Sequence, residues 1–227
     1  MIVSHEHRFI FIKTAKTAGS SIEEALKPLC GPDDIIARTL RSSKHPPAGS
    51  DNFRRGLGKL GIPVPAGIAR HMPQLAGFYP HMPARHVRTL IGPEIWDSYF
   101  KFTVERNPWD RQISLYYYRY HKRKNAPSFE ETLSPWFSTF HASRMRNWYG
   151  YTVDDRIIVD RIIRFENLDN DFNEISRQLG LGDLSLPHAN SGPRRERAHY
   201  RDYYTPRTRD TVANWYAREI KALGYSF

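Results

Sequence analysis

The chain has 227 residues, 40% of them hydrophobic and 26% charged, which suits one well-buried soluble domain and excludes fibrous and low-complexity classes. Thirty-four Lys and Arg against 24 Asp and Glu give a formal charge of +10, which favours an anionic partner: a nucleotide, nucleic acid, an acidic polysaccharide or a membrane surface. Cys30 is the only cysteine, so an intrachain disulfide and a thiolate metal cluster are excluded; no run approaches the ~20 apolar residues of a span, and "MIVSHEHRF" lacks a long apolar core, so a cytoplasmic protein without stable membrane insertion is expected.

The first predicted unit is "RFIFIKTAKTAGSSIEEAL", in which an apolar strand-like run passes through a polar turn into a helical pattern. Its turn, "KTAKTAGSS" (13–21), combines lysines, small residues and hydroxyls at a strand-to-helix junction, the composition that exposes backbone N–H groups and a helix N-terminus to an anion. The nucleotide-triphosphate loop places its lysine directly after the last glycine. Here Lys16 precedes Gly19 by three residues, so a different phosphate-bearing ligand is expected.

Residues 41–85 hold seven of the 16 prolines and six of the 14 glycines and show few periodic patterns. A loop-rich stretch of that length inside a compact domain is expected to be a binding element or a mobile lid. It contains His71 and, in "FYPHMPAR", His81, followed by Arg85 and shortly by Arg88.

The second and third units are "YFKFTVERNPWDRQISLYYYRY" and "RIIRFENLDNDFNEISRQLG". Strands alternating with helices predict a three-layer α/β fold with a short parallel sheet, and the three turns should share the ligand-binding edge at the strands' carboxyl ends. Asn107 before Pro108 and Thr205 before Pro206 read as helix starts, and Gly180 and Gly224 as helix ends. A single final helix is expected from about Pro206 to Ala222, with Val212, Trp215, Tyr216 and Ile220 along its core stripe.

In the second turn Arg106 stands eight residues before Ser114, so a guanidinium and a hydroxyl can hold one phosphate between them. Arg111, beside Asp110, reads instead as a structural ion-pair partner. "KTAKTAGSS", "RNPWDRQIS" and the terminal "YAREIKALGYSF" together resemble the sulfotransferases that use 3′-phosphoadenosine-5′-phosphosulfate (PAPS), most closely their carbohydrate-type branch. The resemblance covers most of 1–227 as a single sulfotransferase domain with a P-loop-like fold, and leaves only 41–70 unplaced. Ala15 and Ser20 depart from the family's usual proline before the lysine and threonine after the glycine, but keep small size and a hydroxyl.

What the resemblance implies is specific. Lys16 meets the bridging or 5′-phosphate oxygens and is catalytic, while Thr17, Ala18, Gly19, Ser20 and Ser21 cradle the 5′-phosphate. Arg106 and Ser114 grip the 3′-phosphate, Arg194 in "NSGPRRER" covers the nucleotide, and no metal is required. Residues 41–85 are the expected acceptor-binding segment, and His81 is the expected general base toward a hydroxyl acceptor, a carbohydrate and possibly an anionic one, with Glu105 and His71 as alternatives. No nucleic-acid partner is expected, because the mixed aromatic and basic "LYYYRYHKRK" is explained by an amphipathic helix. Two rival readings stand beside this one: a phosphate-loop nucleotide kinase or hydrolase, which lacks its lysine after Gly19, and a non-catalytic anionic-polymer binding module, which leaves two matched phosphate loops without a role.

Overall fold

The computed structural model describes residues 1–37, 77–140, 146–187 and 199–227. Most of the predicted loop-rich segment and the expected site residues His71 and Arg194 therefore lie outside the described residues. The chain opens with β1 (Ile2–Ser4) and β2 (Phe9–Ile12), crosses the lysine-containing turn into α1 (Gly19–Leu26) and returns through β3 (Ile35–Ile36). Helices α2 (Ala84–Ile91) and α3 (Pro93–Ser98) precede β4 (Phe100–Glu105) and the long α4 (Pro108–Tyr120). Then follow α5 (Phe129–Thr132), α6 (Pro135–Phe140), α7 (Trp148–Tyr151) and a hairpin of β5 (Thr152–Val153) and β6 (Arg156–Ile157). The described chain ends with β7 (Arg161–Arg164), α8 (Leu168–Gln178), α9 (Pro206–Trp215) and α10 (Ala217–Leu223).

The main sheet runs β3-β1-β2-β4-β7. β2, β4 and β7 are parallel, as the three repeated units require, whereas β1 is antiparallel to both its neighbours. The antiparallel edge that extends the expected parallel sheet has a simple reason: only residues 5–8 separate β1 from β2, and parallel strands need a much longer crossover.

Alternation along each strand builds two cores. Phe9 and Phe11 of β2 face Ile22, Leu26, Phe102, Phe172 and Ile175, beneath α1 and α8. Ile10 and Ile12 face Val87, Trp96, Trp148 and Tyr151, beneath α2, α3 and α7. With roughly 1.5–3 kcal/mol for each fully buried large apolar side chain, a one-residue slip of β2 would exchange both sets and is strongly opposed. Helices on both faces give the expected three layers. A third cluster, with Trp109, Ile113, Val212 and Tyr216, packs α9 and the C-terminal segment against α4.

The predicted caps are present: Asn107 accepts from the Trp109 N–H at the start of α4, and Thr205 forms a capping box with Thr208 at the start of α9. Gly180 (φ 70°) and Gly224 (φ 63°) take the left-handed conformation expected of helix-ending glycines. The final helix is not continuous. Tyr216 leaves helical geometry at φ −118°, ψ 24°, and the break turns Glu219 inward onto Arg111.

Candidate active site

The first turn leaves β2 and enters α1 through two non-glycine residues with positive φ, Lys16 (63°) and Ala18 (61°). Ala18 is the N-cap, and no side chain caps the helix. A helix leaves its first N–H groups without intrahelical acceptors. That of Ser21 turns back to the Ala18 carbonyl at 2.9 Å, and the intrahelical ladder starts with Ile22 on the same carbonyl at 3.3 Å; the dipole of this helix end, where Gly19 and Ser20 stand, favours an anion.

The side chains of this turn divide inward and outward. Thr14 and Thr17 are buried and bond each other at 2.8 Å, and Thr14 also donates to the Val104 carbonyl of β4. The Thr17 hydroxyl thus secures the turn, and only its backbone is left to the open side. Lys13 is held by Glu23 (2.5 Å) and Ser20 (3.1 Å). Glycine is required at 19 by close approach, since a Cβ there would lie 2.8 Å from the Lys13 Cγ. Lys16 is different: its ammonium rests 4.3 Å from the centroid of the Tyr118 ring, which is 68% exposed. Partial burial, and then the nearby Arg106 charge, lower its pKa from the ordinary lysine value to about 8.

The second turn follows β4, the neighbour of β2. Arg106 donates through Nε to Asp110 at 2.6 Å and through Nη1 to the Lys16 carbonyl at 3.4 Å, and its guanidinium stacks 3.9 Å over Phe165. Asp110, Ser114 and Tyr118 follow at four-residue intervals on one face of α4, which looks onto the first turn because Arg106 and Tyr118 both reach Lys16. Ser114 is half-buried in the middle of that face. The two turns are therefore joined side by side at the carboxyl ends of adjacent parallel strands.

Arg111 is wholly buried and forms ion pairs with Glu105 and with Glu219, at 3.3 Å for the latter, so the structural role expected for it is present while Asp110 belongs to Arg106. Glu105 is equally buried and also accepts from the Arg106 N–H (3.0 Å), Asn147 (3.4 Å) and Tyr151 (3.1 Å). A carboxylate so engaged holds the second turn together and is ill placed to serve as the alternative base.

His81 sits in a turn closed by the Met82 N–H on the Tyr79 carbonyl, again with positive φ (58°). Its Nδ1 lies 3.2 Å from the Lys13 carbonyl. A carbonyl only accepts, so Nδ1 carries the proton and Nε2 is the basic atom of the neutral ring. Desolvation, followed by the Lys13 and N-terminal ammonium charges, holds this imidazole below the usual histidine range. The structure thus attaches His81 to the first residue of the lysine turn. Arg85, by contrast, donates to His86 at 3.3 Å, and Arg88 is exposed on α2.

A cavity of about 430 Å³ opens beside the first turn, lined by Ala18 and Ser21, by Phe165 to Asn170 after β7, and by Leu186 and Pro187. The third turn therefore joins the same edge. That shared edge is the one expected of the three repeated units, whereas Asn147, whose side chain bonds both backbone polar groups of Ala15, was not anticipated. No spacing pattern in the sequence points to Asn147.

Fold and site define a three-layer α/β protein whose lysine and arginine turns stand side by side at neighbouring strand ends. The profile of the sulfotransferase family matches residues 1–226, and the chain belongs to that family. It is 33% identical over 102 residues to an uncharacterized protein of Archaeoglobus fulgidus, a stretch covering 44% of this chain and 83% of the relative. A crystal structure of a sulfotransferase from Alicyclobacillus acidocaldarius superposes with a TM-score of 0.48 at 17% identity, covering 97% of this chain and 96% of that one. Sulfuryl transfer is the activity that family membership supports. No helix among the described residues is long and apolar enough to cross a membrane.

Proposed function

We propose that the protein moves a sulfuryl group from PAPS to a hydroxyl of a carbohydrate acceptor, in the cytoplasm. The observation that carries the donor reading is the pairing of two anion-ready turns, linked by the Arg106 bond to the Lys16 carbonyl, because this donor bears phosphates at two ends of one ribose. The 5′-phosphosulfate is assigned to Lys16 and the N–H groups opening α1, and the 3′-phosphate to Arg106 with Ser114. The phosphate must draw Arg106 away from Asp110, which it can do as a doubly charged acceptor. The cavity falls within the size range of small-molecule sites, and Phe165 offers it an aromatic face. Glu166 and Asp169 on its wall oppose a phosphate but accept from amino groups, which suits the base end of the nucleotide.

In this reading the acceptor oxygen attacks sulfur, the bond from sulfur to the bridging oxygen breaks, and adenosine 3′,5′-bisphosphate leaves. Lys16 neutralises the charge growing on the departing oxygen, the point at which a fixed cation accelerates transfer most. His81 Nε2 receives the acceptor proton, and Arg194 closes over the nucleotide. A carbohydrate acceptor rests on the branch resemblance and on the net charge of +10, which suits an acidic sugar.

The test is incubation with ³⁵S-labelled PAPS and a panel of neutral and acidic glycans, with calorimetric titration of adenosine 3′,5′-bisphosphate in parallel. Labelled glycan together with strong preference for the bisphosphate over adenosine 5′-monophosphate is expected. Equal affinity for both nucleotides would sink the donor assignment. Label appearing only on non-carbohydrate hydroxyls would remove the acceptor class and leave the donor standing.

A further inference from the structure

The residue immediately before Lys16 is gripped at both of its backbone polar groups by one distant side chain. Asn147 Oδ1 accepts from the Ala15 N–H at 3.0 Å, and Asn147 Nδ2 donates to the Ala15 carbonyl at 3.0 Å. Two bonds to one residue fix the position and the tilt of the backbone there, whereas a single bond would leave it free to swivel. The side chain comes from 132 residues away, is only 6% exposed, and stands at the start of α7, where Gly150 brings the helix within 3.9 Å of Thr14 for an added Cβ.

What this grip must hold is an unfavoured backbone. Lys16 has φ 63°, a conformation that residues with a Cβ seldom adopt and that is kept only when the surroundings over-determine it. The surroundings do so in a closed ring. Asn147 Nδ2 also reaches Glu105 at 3.4 Å, Glu105 accepts from the Arg106 N–H at 3.0 Å, and Arg106 Nη1 returns to the Lys16 carbonyl at 3.4 Å. Ala15 and Lys16 are thus pinned from opposite sides by one polar circuit.

Resting on the donor reading above, we propose that Asn147 is a positioning residue: by clamping Ala15 it sets the direction of the Lys16 side chain, and so governs the 5′ end of the nucleotide site without touching the nucleotide. The 3′ end does not depend on it, because the Arg111 pair holds Glu105 even when Asn147 is absent.

The experiment compares affinities for adenosine 3′,5′-bisphosphate and adenosine 3′-monophosphate, by calorimetry, in wild type, Asn147→Ala, Asn147→Asp, Lys16→Met and the Asn147→Ala/Lys16→Met double variant. Asn147→Ala should shrink the wild-type preference for the bisphosphate by about tenfold, the lower end for residues that orient a ligand-binding group, while leaving 3′-monophosphate affinity unchanged. In the Lys16→Met background the same substitution should add almost nothing, since the group it aims is gone. Asn147→Asp keeps the acceptor for the Ala15 N–H, loses the donor and sets a second carboxylate beside Glu105, so it should share the loss; it carries the same test if the alanine variant does not fold. Equal weakening of both nucleotides, or full additivity with Lys16→Met, overturns the proposal. A wild type without preference for the bisphosphate overturns the donor reading and this proposal with it, whereas a preference that survives Asn147→Ala overturns this proposal alone.

Discussion

The lysine turn and the arginine turn occupy equivalent places, each between a parallel strand and the helix that follows, yet they are stabilised in opposite ways. The turn after β4 has a side-chain cap from Asn107, a proline at the first helical position and a fully buried ion pair behind it. The turn after β2 has no side-chain cap and strained dihedrals at Lys16 and Ala18, and it is held from outside by Asn147 and Arg106. The comparison teaches where each function can reside. A turn capped by its own side chain and backed by a buried ion pair makes a fixed anchor, while an uncapped turn with strained dihedrals leaves its helix end and its lysine less constrained.

The sharpest way to break the contrast is to remove the anchor's buried charge. Arg111→Leu leaves Glu105 and Glu219 facing each other without a counter-ion, and the cost should be about 3–5 kcal/mol, measured as a lowered midpoint in chemical unfolding. A variant as stable as wild type would mean that the second turn does not depend on that pair.

Next come the two groups assigned to chemistry. His81→Ala should lower kcat by about 10²–10⁴-fold with donor affinity intact. Because the imidazole is held below its ordinary value, it stays neutral as pH falls through 6.5, so the acid limb of wild-type kcat/KM should lie below that pH and vanish in the variant. Lys16→Met should cost turnover ~10²-fold or more, with a smaller loss of donor affinity. Its ammonium must be charged to act, so wild-type activity should fall as pH rises through about 8, and Lys16→Arg should carry that limb upward. Near-normal turnover in either neutral variant would reassign the corresponding role.

Smaller effects sharpen the comparison. Arg106→Ala should abolish the preference for adenosine 3′,5′-bisphosphate over the 5′-monophosphate, a difference of roughly 1.5–3 kcal/mol for charge-assisted bonds. Smallest is Tyr118→Leu. The ring offers Lys16 a seat away from the helix end, so removing it should tighten bisphosphate binding by about two- to fivefold, the scale of an exposed cation–π contact, while Tyr118→Phe stays at the wild-type value.

Much of this arrangement could be read from local pattern. The three strand–turn–helix units, the Asn107 and Thr205 caps and the glycines ending α8 and α10 all depend on residues a few positions apart, and the structure contains them. The roles expected of Lys16, Arg106 and Ser114 rest on the family resemblance rather than on local pattern. What could not be read depends on long separations. Asn147 meets Ala15 across 132 residues and Glu219 meets Arg111 across 108, and neither contact leaves a periodic trace. The same blindness explains the expected unbroken final helix. Its apolar spacing continues through Tyr216, and only the requirement to bring Glu219 onto a buried guanidinium interrupts it. The direction of the Thr17 hydroxyl is of the same kind, since it turns onto Thr14 beneath β4.

The lateness of those partners bears on biosynthesis. Arg111 awaits Glu219, and Asn107 donates through Nδ2 to the Ser226 carbonyl at 2.9 Å, 119 residues further along. A ribosome delivers the first turn, the strand beneath the second and α4 long before those partners emerge. Until then the second turn has a guanidinium only half neutralised and a cap amide without its acceptor. In the nascent chain the contacts that complete the arginine-bearing turn therefore form last, once the C-terminal segment has docked.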